Sequence, residues 1–294
     1  MKETYYNIND LEKLTGIKAH TIRIWEKRYG LLEPSRTDTN IRYYSANDLK
    51  KLLNISVLNK NGIKISRIAE FSDQEIGEKV IEFTSRTSDV EDQVQALTMA
   101  MFHMNLQKFE KLLTVSYINR GFENTYLEII TPFLSKLGLL WQTGTITPAQ
   151  EHFATNIIRR KIIVAIDGLL ASYNDKSKRF ILFLPEGEQH EISLLFAYYL
   201  LKKYNQHVTY LGTSIPFYSL DEFNFFHQSD YLVTSLTNAI SVPRMKEYIH
   251  ILSEQFKDQT IIFIGQQIEN YQYPLPSNIL KMNSIRDFQK LFSS

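Results

Sequence analysis

The spacing of apolar residues changes character along the chain. From Lys18 to Tyr29 (KAHTIRIWEKRY), Ile22, Trp25 and Tyr29 recur at i, i+3 and i+7, whereas His20, Thr21, Arg23, Lys27 and Arg28 fall largely outside that stripe. This predicts a helix with one apolar side and a basic outer face. Before it, Asn9-x-x-Glu12 with Leu11 and Leu14 predicts a short capped helix stopped at Thr15-Gly16. After Pro34 comes SRTDTNIRYYS, with turn formers Asp38 and Asn40 between Arg36 and Arg42, a pattern that suits a basic two-stranded wing. Ser45-x-x-Asp48 then opens a helix through Leu49, Leu52 and Leu53 to a stop at Asn61-Gly62. Residues 75–88 turn polar and charged, as a linker with a short helix would. Helical spacing then returns in two helices parted near His103 to Leu106, a third from Glu123 to Trp141, and a fourth from Pro148 to about Leu170. Four such helices predict a bundle.

Beyond residue 175 the period shortens. Apolar runs at Phe180 to Leu184, His207 to Leu211, Tyr231 to Ser235 and Ile261 to Gly265 predict strands, with a last short one within Asn278 to Lys281. Helical stretches separate them around 190–204, 218–227 and 241–256, and Ser284 to Phe292 closes the chain. That alternation predicts a Rossmann-like parallel sheet with flanking helices. The expected architecture is therefore multidomain α and α/β: a helix-turn-helix with a wing over 1–75, a helical bundle over 76–172 and the sheet over 173–294. No G-x-G-x-x-G follows the first strand, which argues against an ordinary dinucleotide site.

Composition narrows the choices. The 294 residues are 44% hydrophobic, enough for real cores. Net charge is only +1 overall, yet residues 1–70 hold 13 Lys/Arg against 8 Asp/Glu. The basic end is the one suited to phosphate. Absence of cysteine excludes disulfides and thiolate metal sites. With no membrane-length apolar run and no signal-like start at MKETYYNINDLEK, a soluble cytoplasmic protein without a membrane partner is expected. No nucleophile-base pair or carboxylate dyad stands out, so an enzyme is not expected.

Three places carry candidate chemistry. The basic second helix could enter a major groove while the wing reaches backbone phosphates, although a small hairpin with a solvated charged face has the same pattern. Trp141-x9-Glu151-His152 brings an indole, a carboxylate and an imidazole toward one end of the bundle, the mixed lining of a cofactor pocket. Singly, each would be a core or surface residue. Finally, the loop after the first strand carries Glu188-x-His190, at the position where α/β folds bind ligands. A carboxylate there could orient the imidazole toward a metal, though a lone loop histidine more often just opens a helix.

The run TIRIWEKRYGLLEPSRTDTNIRYYSANDLKKL resembles the winged helix-turn-helix of MerR-family transcription regulators. That resemblance implies recognition-helix contacts at Thr21 and Arg23, wing contacts at Arg36 and Arg42 with Tyr43 adjacent, and core roles for Trp25 and Tyr29. It also implies operator DNA as partner, a homo-oligomer (dimer or tetramer), and RNA polymerase as a further partner. The bundle and sheet together resemble a cobalamin-binding module, and in this order the whole chain is similar to regulators of the CarH/LitR type. The resemblance implies cobalamin, as adenosylcobalamin, controlling operator binding. Trp141, Glu151 and His152 would lie at its upper face, His190 would be the lower ligand to cobalt with Glu188 behind it, and Thr234 and Ser235 would lie near its tail. The chain departs from the pattern at Ser193 and Gln266, where glycines are usual, and at Gln142, where light-sensing members place a histidine. Those departures leave an alternative, a degenerate module that senses another ligand or a protein partner. A corrinoid enzyme subunit is a third reading, which the MerR-like N-terminus fits poorly.

Overall fold

The structure, a computed structural model, describes residues 5–37, 40–60, 62–86, 90–142, 144–170, 172–220, 229–238, 240–269 and 271–291. The chain folds into two units, 1–156 and 157–294, and the division falls inside one helix.

In the first unit, α1 (Ile8–Thr15) and α2 (Ala19–Tyr29) form the helix pair. The cap of α1 differs from the expectation. Asn7, not Asn9, accepts from the backbone of Asn9 and Asp10, and Asp10 returns the bond to the Asn7 N–H. Glu12 is thereby released to join the helices, accepting from the Ala19 N–H and from Lys18, each at 3.0 Å. Ile22 and Trp25 are buried as predicted, while Tyr29 is only partly covered, under the Arg28 guanidinium. The wing is the antiparallel pair β1 (Ser35–Arg36) and β2 (Arg42–Tyr43); Asp38 lies outside the described residues.

Ser45 and Asp48 cap α3 (Ala46–Lys60), as the sequence requires. The polar stretch read as a linker is largely a 14-residue helix, α5 (Asp73–Arg86), following the short α4 (Ile65–Ile68). Its Ile76 and Val80 are buried and it packs on α3. A sparse apolar stripe in a charged sequence sufficed once a partner face was present. The bundle comprises α6 (Val90–Phe102), α7 (Leu106–Arg120), α8 (Phe122–Thr125), α9 (Thr131–Gln142) and the first part of α10 (Pro148–Asp167). Helix α6 is covered on nearly every side, including Asp92, Gln93 and Gln95. A π-helical turn, Tyr126–Ile130, joins α8 to α9, so the predicted third helix is continuous but locally widened.

The second unit is a five-stranded, all-parallel sheet in the order β4-β3-β5-β6-β7: β3 (Arg179–Pro185), β4 (His207–Ile215), β5 (Tyr231–Ser235), β6 (Thr260–Ile264) and β7 (Ile279–Lys281). Directly paired Phe180 and Tyr231 stack at 4.7 Å between ring centroids. Helices α11 (Ile192–Lys203), α12 (Val242–Gln255), α13 (Gln266–Glu269) and α14 (Ile285–Lys290) accompany the strands. The helix expected over 218–227 lies mainly outside the described residues. From β3 the chain goes to β4 on one side and then crosses to β5 on the other. Between β3 and β5 the strand order reverses, the place where open α/β sheets form a crevice at the strands' carboxyl ends.

Candidate functional site

That crevice is organised by one carboxylate. Pro185 ends β3 and Gly187, at φ +83°, allows the chain to turn back so that Glu188 N–H reaches the Pro185 carbonyl at 2.9 Å. Glu188 is 3% exposed. Its Oε1 accepts from the N–H groups of Gln189 (2.9 Å) and His190 (3.0 Å), and its Oε2 from those of Thr237 (2.9 Å) and Asn238 (2.8 Å). The Asn238 side-chain amide adds a bond of 3.1 Å to Oε1. The loops after β3 and β5 are thus joined through a single side chain.

Burial alone would raise the Glu188 pKa, but the hydrogen bond from His190 and those from the Asn238, His190 and Thr237 backbone outweigh it and hold the carboxyl at about 2. An ionised carboxylate only accepts. His190 Nδ1, 2.7 Å from Oε1, is therefore the donor, which in the neutral ring leaves the lone pair on Nε2. Half of the His190 side chain is exposed. An imidazole oriented by a buried carboxylate is the arrangement that protein metal ligands use.

Behind this loop is a cavity of about 620 Å³ with Gly187 and Glu188 at its rim and Ile215, Phe217, Leu236 and Ile251 among its walls. The hydroxyls of Thr234, Ser235 and Tyr248 are all buried, and those of Thr234 and Tyr248 interact with each other. Burial drives the Tyr248 phenol far above its ordinary value, and the Thr234 hydroxyl offsets this only in part. Ser193 sits in the first turn of α11 with ordinary negative φ and is not among the cavity's lining residues. Gly265 is indispensable where it stands. At φ +100°, a Cβ there would lie 2.8 Å from Ser235 Oγ and 2.9 Å from the Leu236 carbonyl oxygen. The next residue, Gln266, opens α13.

These features fit a corrinoid. An oriented imidazole can offer cobalt a nitrogen, a largely apolar, open-sided cavity lies beside it, and the buried Ser235 hydroxyl is a polar atom of the kind a ligand satisfies. In the first unit, Trp141 is half exposed near the end of α9, and Glu151 Oε2 lies 2.8 Å from His152 Nδ1 in the first turns of α10.

At the N-terminal end, Arg23 is exposed and Thr21 partly buried on α2. Arg36 donates to Asn40 Oδ1 at 2.6 Å, stiffening the wing, and Tyr43 packs edge-on against Tyr5 at 4.6 Å. Arg42 is paired within the protein, its Nε donating to Glu26 Oε1 at 2.9 Å while the Tyr44 hydroxyl donates to Glu26 Oε2 at 3.1 Å. Sequence reading missed Glu26 and Asn238. Each acts across a gap that only the topology closes, and the one local signal was Asn238, polar just beyond a strand's carboxyl end.

Residues 6–75 match the family described as MerR HTH family regulatory protein, and residues 93–165 match the B12 binding domain. The chain is 27% identical over 226 residues to the HTH-type transcriptional repressor CarH of Myxococcus xanthus, covering 74% of this chain and 73% of that one. It is 27% identical over 219 residues to CarA, another HTH-type transcriptional repressor of the same organism, covering 71% and 68%. Over 63 residues it is 35% identical to the HTH-type transcriptional regulator MlrA of Escherichia coli, 21% of this chain and 26% of that one. In fold it is similar to a monomethylamine corrinoid protein from Methanosarcina barkeri, with TM-score 0.54, 15% identity, and coverage of 69% of this chain and 98% of that one.

Proposed function

We propose that this chain, a MerR-type DNA-binding regulator with a B12-binding domain, holds cobalamin through His190 and couples its presence to operator binding. The carrying observation is the Glu188 carboxylate, which fixes the His190 ring and ties the β3 and β5 loops around the crevice. When bound, cobalamin supplies a cobalt whose lower position takes a nitrogen donor, here assigned to His190, with Glu188 orienting it. Trp141, Glu151 and His152 are assigned to the upper face, Thr234 and Ser235 to the tail, and adenosylcobalamin is the form expected. The DNA half, residues 1–75, reads the operator through Thr21 and Arg23 and meets phosphates through Arg36, Arg42 and Tyr43. Residues 76–172 form the cap and 173–294 the sheet domain. The active species is a homo-oligomer, and RNA polymerase is the expected transcriptional partner.

The test is spectroscopic. Full-length protein incubated with adenosylcobalamin and desalted retains the corrin absorbance, and His190→Ala shifts the bands that report lower ligation and weakens binding. Glu188→Gln, which keeps the shape but loses the charge, costs about 10- to 100-fold in affinity. A wild-type protein that emerges colourless from micromolar adenosylcobalamin would refute the sensor half and favour a module tuned to another ligand or a protein partner.

A further inference from the structure

We propose that Ile24 of α2 is a specificity-determining residue that selects thymine in the operator by covering its 5-methyl group in the major groove. This rests on reading α2 as the helix that enters that groove, and names a base it takes there.

The orientation of α2 is fixed from inside. Ile22 and Trp25 are buried, and Glu26 on one flank is held by Arg42 and Tyr44. His20, Arg23, Ile24, Lys27 and Arg28 recur at i, i+3, i+4, i+7 and i+8, and all are exposed. They form one outward stripe. Three of them are cations and His20 is polar, whereas Ile24 is a branched hydrocarbon, 53% exposed in their midst. Arg23 and Lys27 make no ion pair among the described residues, which leaves their charge for an anionic partner.

An exposed isoleucine is common by itself. Its surroundings make this one informative. A β-branched side chain lowers helix propensity slightly, so Ile24 does nothing for α2 where it stands. An apolar protein surface laid over it would strip water from the cations around it, at a large cost. Duplex DNA satisfies both kinds of group: phosphates beside the groove neutralise the cations, and the groove floor carries a single apolar feature, the thymine methyl. Adenine and guanine show only donors and acceptors on their major-groove edges, and cytosine adds its amino donor. Ile24 is therefore matched to thymine, next to an arginine suited to a polar base edge.

Selection from random duplexes by the full-length protein, with and without adenosylcobalamin, defines the site. Each thymine in it is then replaced by deoxyuridine, which lacks only the methyl group. Wild type loses about fourfold in affinity at one thymine of each half-site, the worth of one buried methyl-sized group. Ile24→Ala binds the thymine and uracil duplexes alike, and Ile24→Val keeps part of the difference. All three bind a random-sequence duplex equally, and equal melting temperatures show an intact fold. Wild type indifferent to uracil at every thymine, Ile24→Ala retaining the full uracil penalty, or an equal loss on the random duplex each overturns the proposal while leaving operator binding standing. Wild type that enriches no sequence overturns the reading of α2 as well.

Discussion

At the scale of single residues, two carboxylates show how much of a site can hang on one side chain. Glu26 is mostly covered and holds both Arg42 and Tyr44, so the second wing strand and the residue after it are tied to α2 through its two oxygens. Burial, and then the Glu26 charge, push the Tyr44 phenol up to about 12, which keeps it a donor at any physiological pH. Replacing Glu26 by alanine removes both bonds and leaves the Tyr44 hydroxyl without its acceptor. We expect a loss of about 1 to 3 kcal/mol in urea unfolding, and weaker binding to the operator than the stability change alone explains. Operator affinity unchanged in the folded variant would mean the wing needs no tether. Gly265 gives a second expectation. Alanine there meets backbone oxygen and the Ser235 hydroxyl closer than van der Waals separation in a left-handed conformation, so Gly265→Ala lowers the melting temperature and loosens the crevice. Glu188 and His190 were legible from sequence because they are neighbours. Glu26 with Arg42, and Glu188 with Thr237 and Asn238, were not, since no local pattern states which loop a carboxylate will reach.

At the scale of elements, periodicity located most of the sheet's strands to within a residue or so, because each is a short apolar run between polar turns. It underestimated β4, which continues to Ile215 through Gly212 and Ser214, residues poor in strand signal, because Gly212 and Ile215 pair with Phe183 and Pro185 of β3 across an irregular register. It misjudged α5, whose charged sequence hides two buried anchors. Helix α9 carries a further consequence. Burial pulls the Lys136 ammonium down to about 8 from an ordinary 10.5, with Glu91 opposing only weakly. Between those values the unfolded chain binds a proton that the folded chain has shed, so stability rises with pH across that window. Lys136→Met removes the charged group from the bundle, raising stability at pH 7 and flattening the climb. Denaturation midpoints measured from pH 7 to 10.5 check this, and a wild-type midpoint that stays level above pH 8 would show that the ammonium is well solvated.

At the scale of the whole molecule, the charge is unevenly divided, with 13 Lys/Arg against 8 Asp/Glu in the first 70 residues and 20 against 24 in the rest. Attraction to DNA must come from the basic end, and each phosphate neutralised makes log affinity fall by about 0.9 per log unit of salt on a duplex. Arg36 is assigned such a contact, so Arg36→Ala should shallow the salt slope by about one. Arg42, already neutralised by Glu26, should change the slope less than it changes affinity. The cofactor acts on the same equilibrium only if it distinguishes one assembly from another, since a ligand that binds both alike shifts neither. The measurable form of that statement is a mass. With saturating adenosylcobalamin, light scattering should report a different oligomer from that of the ligand-free protein, and operator affinity should move with it. His190→Ala should remain in the ligand-free state at the same ligand concentration. If mass and operator binding stay constant while the corrin is bound, the B12-binding domain serves some purpose other than control of the DNA reader.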